Sequence, residues 1–293
     1  MANSTYAYFP GCSLHGAGSE YGVSTELVCK ALGVDLRELP EWNCCGATPA
    51  HNLDRWLGLA LPARNLRIVE EMGLDTVTAP CAACFSRLKS TARELADPAV
   101  RAKVNALLDR PVTKLAEVRS LVDVLTQGDV LARLAEAKKK PLSGLRVVSY
   151  YGCVLVRPPD VLRFDDCEDP QSMDRLVTAL GGEAVPWTHK TKCCGAGMLA
   201  LARRPVVIDK LQEILAAAEH VSADVFATAC PMCHANLDTR QAQVNRVKGK
   251  QFNIPVLYFT QLIGLALGYA PGALQMDRHL VDPRPVLKEK GLA

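Results

Sequence analysis

Short runs of branched and aromatic residues alternate along the chain with longer stretches of helical periodicity. Residues 5–9, 34–39 and 74–79 read as strands, Thr76-Val77-Thr78 being the clearest β-type run. Between them, 19–32 carries Val23, Leu27 and Ala31 on one stripe. Residues 53–72 carry Leu57, Leu61, Ile68 and Met72, with Pro62 expected to bend or interrupt that helix. The same order recurs, with strands at 145–151, 183–187 and 224–229 and helices at 170–180 and 205–221. In the last helix Leu211, Ile214, Leu215 and Ala218 share a face, and Asp209 and Glu213 point to water. Residues 99–140 read as a charged, mostly helical insertion or connector, and Pro141-Leu142-Ser143-Gly144 as the boundary. The expected fold class is therefore α/β, with residues 1–140 forming a first domain with its helical connector and 141–293 a second with a C-terminal tail.

A second periodicity lies on top of the first. Ten of the twelve cysteines form two matching sets of five. One is Cys12, Cys44-Cys45-Gly46 and Cys81-Ala82-Ala83-Cys84; the other is Cys153, Cys193-Cys194-Gly195 and Cys230-Pro231-Met232-Cys233. In both, 35 residues separate the Cys-Cys pair from the CxxC. Tyr8-Phe9-Pro10-Gly11 leads into Cys12 as Tyr150-Tyr151-Gly152 leads into Cys153, so the repeat extends beyond the thiols.

Thiols in this number need a chemical use. Met1 to Phe9 shows no charged-then-apolar leader, so a reducing cytoplasm is the expected compartment and disulfides are disfavoured. Tetrahedral zinc would take four ligands and leave one thiol over in each set. Iron–sulfur ligation fits soft thiolates at CxxC spacing better. A fifth thiolate then points to an irregular or larger cluster, or to a cubane beside a reactive cysteine. Redox dithiols are the remaining alternative.

The segments Trp42-Asn43-Cys44-Cys45-Gly46-Ala47, Val148-Ser149-Tyr150-Tyr151-Gly152-Cys153, Lys190-Thr191-Lys192-Cys193-Cys194-Gly195 and Cys230-Pro231-Met232-Cys233-His234 resemble the cysteine-rich domain named for its CCG motif. Two such copies with no ferredoxin segment in front are similar to the B subunit of heterodisulfide reductase. The resemblance covers nearly the whole chain. It implies two Rossmann-like α/β halves related by a pseudo-twofold axis, and two non-cubane 4Fe–4S clusters. The ligands it implies are Cys12, Cys44, Cys45, Cys81 and Cys84 for one, and Cys153, Cys193, Cys194, Cys230 and Cys233 for the other. It implies a protein that reduces, or reversibly forms, a disulfide of two small thiols, each cluster delivering one electron. A ferredoxin-like C subunit and a flavin-bearing A subunit would supply the electrons. The alternatives are a non-catalytic relay protein of a flavin- or quinone-linked oxidoreductase, since CCG proteins also serve such enzymes, and a zinc-bound scaffold.

Composition removes other classes. A net charge of +3, dispersed along the chain, gives no case for nucleic acid or an anionic membrane. No stretch approaches the ~18 apolar residues of a membrane span. No GxGxxG sits between a strand and a helix, so nucleotide binding is not indicated. Lys138-Lys139-Lys140 reads as a solvated linker, and Cys29 and Cys167 as ordinary thiols. The tail from Asp277 to Ala293, with Leu280 and Val281 as apolar anchors, is a candidate clasp for the other half or a partner.

Around the cysteines, His15 and His234 are candidate proton donors to a leaving thiolate or hydrogen-bond partners of a cluster sulfur. Arg157, Lys190 and Lys192 are candidates to clamp an anionic substrate. Cys12, Cys81, Cys153 and Cys230 each follow a predicted strand, which places them at the carboxyl edge where open α/β sheets bind ligands. Helices are expected to start at both CxxC motifs and turn their N–H groups toward the site. The reaction site is accordingly expected between the two ligand sets, bounded by Cys12–His15, Cys44–Ala47, Tyr151–Arg157, Lys192–Gly197 and Cys230–His234.

Overall fold

β1 (Ser4–Tyr8), β2 (Val34–Glu38), β3 (Thr76–Ala79) and β4 (Glu117–Ser120) form one parallel sheet in the order β2-β1-β3-β4. β5 (Arg146–Tyr150), β6 (Glu183–Ala184), β7 (Val225–Thr228) and β8 (Val256–Tyr258) form a second, in the order β6-β5-β7-β8. The structure is a computed structural model that describes residues 4–47, 50–197 and 203–293. The expected two-half α/β fold is the one observed. The carboxyl halves of β1, β3 and β5, and all of β7 and β8, are buried, as parallel strands covered on both faces require.

In each sheet the chain leaves the first strand toward one neighbour and returns on its other side. The switch in winding direction thus falls between β1 and β3, and again between β5 and β7, where Cys12, Cys81, Cys153 and Cys230 emerge. The shared order makes one half a structural repeat of the other.

The halves meet along the helix Ser19–Ala31, which packs on Phe259–Ala266 of the second half. Its buried face corrects the expected stripe. Tyr21, Ser24, Thr25, Val28 and Cys29 are buried, whereas Val23 and Leu27 are only half-buried and Ala31 is exposed. The reason is the partner: Ser24 Oγ lies 2.7 Å from Thr260 Oγ1, so polar side chains pair across the junction. Burial pushes the Cys29 thiol up to about 12, leaving it a neutral packing group.

Three further expectations change. The 99–140 segment is not merely a helical connector, because it supplies β4, whose Val118 and Ser120 are buried in the first sheet. Pro62 does not interrupt its helix, which runs unbroken over Arg55–Glu71. The Gly58 carbonyl that a proline leaves without its i+4 amide accepts instead from Arg87 Nη2 at 2.6 Å. Nor is Lys138–Lys140 a free linker. The backbone amides of Lys139 and Lys140 donate to Ala266 O, and Lys138 Nζ donates to Ala179 O, so the run satisfies carbonyls at two helix C-termini of the second half.

The tail clasps the molecule itself. The amides of Leu280 and Val281 donate to the Asp238 carboxylate, Leu287 and Leu292 are buried, and Arg278 reaches Ser19 and Glu20 of the first half. Among the described residues no helix is long and apolar enough to cross a membrane.

Candidate metal centres between the two halves

Each CxxC begins a helix, Ala82–Glu94 after Cys81 and Pro231–Thr239 after Cys230. Each CCG turn is held by a glycine in the left-handed region, Gly46 at φ +70 and Gly195 at φ +79. In these turns the amide of Gly46 points at Cys44 Sγ at 3.5 Å and that of Gly195 at Cys193 Sγ at 3.4 Å. In each set the CCG turn and the CxxC helix are thereby brought into contact. Cys45 Sγ lies 3.4 Å from Cys84 Sγ, and Cys194 Sγ 3.5 Å from Cys233 Sγ.

The two sets also touch. Cys81 and Cys230 are close enough across the junction to shift each other's acidity, as each also does with the second thiol of its own CxxC, Cys84 or Cys233. The nearly continuous train of thiols that results shifts their acidities in opposite directions. Bonds from Cys44 and Cys84 hold Cys45 down to about 4, and the bond from Cys153 holds Cys193 at about 5. Bonds from neighbouring thiols also lower Cys81, through Cys230 first, and Cys194, through Cys233. The thiolate is the form that ligates metal.

The donor set fits an iron–sulfur group. It consists of thiols alone, and the backbone beside it is bare where sulfur lies. A Cβ on Gly11 would come within 2.9 Å of Cys84 Sγ, and one on Gly152 within 3.0 Å of Cys233 Sγ, both residues having positive φ. Among the described residues no three His, Cys, Asp or Glu side chains are arranged around one metal ion. The close thiol pairs are Cys45 with Cys84 and Cys194 with Cys233.

A cavity of about 240 Å³ opens onto the second set. Cys153, Cys193, Cys194, Cys230 and Cys233 form one wall, with Val154 and Met232 beside them; Ala47, His51, Asn52 and Ala83 of the first half form the other. A larger hollow of about 860 Å³ near Trp187 and Lys190 contains no cysteine of either set and is not the chemical site.

The non-cysteine candidates are placed differently from the sequence expectation. Lys190 is buried, its Nζ 2.8 Å from Asp169 and 3.1 Å from Asp174, and it donates to Pro170 O. Arg157 pairs with Glu168 at 2.8 Å and Lys192 with Glu213 at 2.6 Å. All three are neutralised by carboxylates and none lines the cavity, so the structure does not assemble an anion clamp from them. His15 is exposed and hydrogen-bonds Glu38 at 3.0 Å, its ring tilted on Trp42. His234 stacks on Tyr258 at 4.3 Å, with its Nε2 3.2 Å from His279 Nδ1. Burial pushes His234 down to about 3, which leaves it neutral at physiological pH rather than a standing proton donor. His51 and Asn52, which the sequence reading missed, are the polar groups that the first half does present. Their signal was position: they follow the CCG turn, on the loop that the repeat brings to the junction.

The CCG cysteine-rich domain family matches residues 6–89 and again 147–238. The membrane anchor subunit of the 8-methylmenaquinol:fumarate reductase of Wolinella succinogenes is 34% identical over 280 residues, covering 94% of this chain and 97% of that protein. The B subunit of the ferredoxin/F(420)H(2)-dependent CoB-CoM heterodisulfide reductase of Methanosarcina acetivorans is 33% identical over 280 residues, covering 94% and 93%. A protein of Archaeoglobus profundus described as like the heterodisulfide reductase B subunit is 31% identical, covering 91% of each. Among solved structures, a hypothetical protein from Helicobacter pylori superposes with a TM-score of 0.75 at 14% identity, over 96% of this chain and 53% of that one, which shows the fold alone. Matched twice by one domain family and over nearly its full length by these relatives, the chain belongs to the CCG cysteine-rich domain family as a two-copy member of the heterodisulfide reductase B-subunit type, an iron–sulfur electron-transfer protein.

Proposed function

We propose that the chain is the catalytic component of a heterodisulfide reductase-type complex, acting on a small disulfide at the mouth of the hollow that the second cysteine set lines. The observation that supports this reading is the pair of five-cysteine sets in a chain that matches a heterodisulfide reductase B subunit over 93% of that protein's length. The hollow of about 240 Å³ is lined by all five thiols of the second set and is the space its cluster would fill, so the disulfide would reach that centre from the side of Ala47, His51, Asn52 and Ala83. In this reading Cys12, Cys44, Cys45, Cys81 and Cys84 hold one non-cubane 4Fe–4S cluster, and Cys153, Cys193, Cys194, Cys230 and Cys233 the other. When bound, such clusters supply single electrons, one at each set. The reaction R–S–S–R′ + 2e⁻ + 2H⁺ → RSH + R′SH breaks one S–S bond and protonates both sulfurs.

The chain's own residues give the substrate its place. Val154, Met232, Ala47 and Ala83 provide apolar walls that keep bulk water from the sulfurs, and His51 and Asn52 offer the polar contacts first sought in His15 and His234. Electrons arrive from a ferredoxin-like protein and a flavoprotein of the same complex, the two domains of this chain dividing at Pro141–Gly144. The relay reading is favoured by the fumarate reductase relative. Anaerobically prepared full-length protein, given reduced methyl viologen and a panel of small mixed disulfides, is expected to release both thiols. Iron–sulfur protein that oxidises the viologen only in the presence of a quinone or flavin acceptor, with no thiol released, establishes the relay instead.

A further inference from the structure

One phenol stands on the line between the two cysteine sets. Tyr21, fully buried in the helix Ser19–Ala31, directs its hydroxyl at Pro80 O at 3.1 Å and at Ala229 O at 3.4 Å. Pro80 immediately precedes Cys81 in the first half, and Ala229 immediately precedes Cys230 in the second. A single proton is therefore shared between the two backbones that lead into Cys81 and Cys230. The ring cannot drift: it stacks on Tyr258 at 4.2 Å with 7° between planes, and meets Phe259 edge-on at 6.1 Å. Buried carbonyls at strand ends that lack ladder partners must find donors, and this hydroxyl serves one from each half.

We propose that Tyr21 is the positioning residue that sets the spacing and relative orientation of the two redox centres. It rests on the reading that each thiol set holds an iron–sulfur cluster. A phenol bonded to one half alone would stabilise that half; bonded to both, it fixes one CxxC against the other. Magnetic and electrostatic interaction between two centres depends steeply on their separation, so loosening this tie alters how the centres sense each other without removing any ligand.

The test is Tyr21→Phe in the full chain, which keeps the stacked ring and deletes the hydroxyl. Ser24→Ala, which removes the neighbouring contact to Thr260, serves as the control for a general loosening of the junction. Iron and sulfide per chain are expected to stay at the wild-type value in both. The spin–spin splitting in the electron paramagnetic resonance spectrum, and the gap between the two midpoint potentials, are expected to narrow in Tyr21→Phe and to stay unchanged in Ser24→Ala. In the metal-free chain treated with oxidised glutathione, the yield of the Cys81–Cys230 cross-link relative to Cys81–Cys84 is expected to fall in Tyr21→Phe only. This reading applies even to a variant that cannot retain iron. Splitting, potentials and cross-link ratio all at wild-type values overturn the proposal, as does an equal effect of Ser24→Ala. Wild-type protein that takes up no iron and sulfide overturns the cluster reading, and with it the role assigned to Tyr21.

Discussion

The two halves share strand order, loop positions and cysteine spacing, yet they meet solvent and each other differently. In the first set Cys12 and Cys44 are exposed; in the second, Cys153 and Cys193 are half-buried and form a wall of the cavity. The first half contributes no cysteine to that cavity, only the side chains that close it. Where the first CxxC helix has Ala82 and Phe85, the second has Pro231 and His234, and His234 is locked into a stack with Tyr258. Duplication thus supplies two similar cysteine sets, while the surrounding residues have diverged, so that the thiols of the second set are the more enclosed.

The largest effect expected from breaking the comparison is loss of a centre. Cys194→Ser removes a proposed ligand of the second set and Cys45→Ser its counterpart in the first. Each is expected to lower iron and sulfide per chain by about half, because the sets draw on separate loops. If the second centre is the one that meets substrate, Cys194→Ser abolishes disulfide turnover, whereas Cys45→Ser retains binding of a small thiol to the remaining centre. Equal loss of iron from both centres in either variant shows that the sets assemble as one unit.

Much of this arrangement was legible in the sequence because it rests on local chemistry. The cysteine repeat, the strands ending at Cys12, Cys81, Cys153 and Cys230, and the helices starting at each CxxC follow from spacing and periodicity within a few residues. What was missed depends on contacts distant in sequence. β4 and β8 are short and flanked by helical segments, so they register only once β3 and β7 are there to pair with them. The Ser19–Ala31 helix hides polar residues because Thr260 and Tyr258, more than 230 positions away, complete them. Lys190 was a candidate to clamp an anionic substrate, but Asp169 and Asp174 hold it inside. His51 carried no periodic signal at all.

A smaller effect distinguishes the long helices that follow the two CCG turns. Arg55–Glu71 carries Pro62 in its interior, whereas Arg204–His220 carries proline only in its first turn. The first half compensates by drawing Arg87, from the CxxC helix, onto Gly58 O. Arg87→Ala leaves that carbonyl without a partner and is expected to cost about 1–3 kcal/mol in chemical unfolding of the metal-free chain. Adding Pro62→Ala restores the amide, and the double variant is expected to recover about 1 kcal/mol of the loss. Strict additivity of the two changes refutes the compensation. No such coupling exists for the second half to show, since its helix never lost the bond.

The finest contrast lies at the start of the two helices that begin at Ser19 and Ser172. Asp174 receives Tyr151 Oη–H at 2.9 Å and has Lys190 Nζ at 3.1 Å. Glu20 is equally hidden but less well served: Oε2 has no hydrogen-bond partner, and its nearest cation, Arg278, is 3.7 Å away. Burial raises the Glu20 pKa from 4.5, the amide bond and Arg278 opposing it only in part. The folded state therefore holds this proton more tightly than the unfolded chain. The resulting stability is fully present below pH 4.5 and is lost as pH rises through the raised folded value. Glu20→Gln, which cannot ionise, is expected to remove that decline, so that its urea midpoint gains on wild type as pH is raised from 4.5 toward neutrality. Asp174→Asn should move the other way and weaken the metal-free chain near neutral pH, because Lys190 is left buried with only the exposed Asp169 to offset it. Parallel pH profiles for wild type and Glu20→Gln would show that the Glu20 carboxyl titrates alike in the folded and unfolded chains, and the contrast between the two helix starts would then be geometric only.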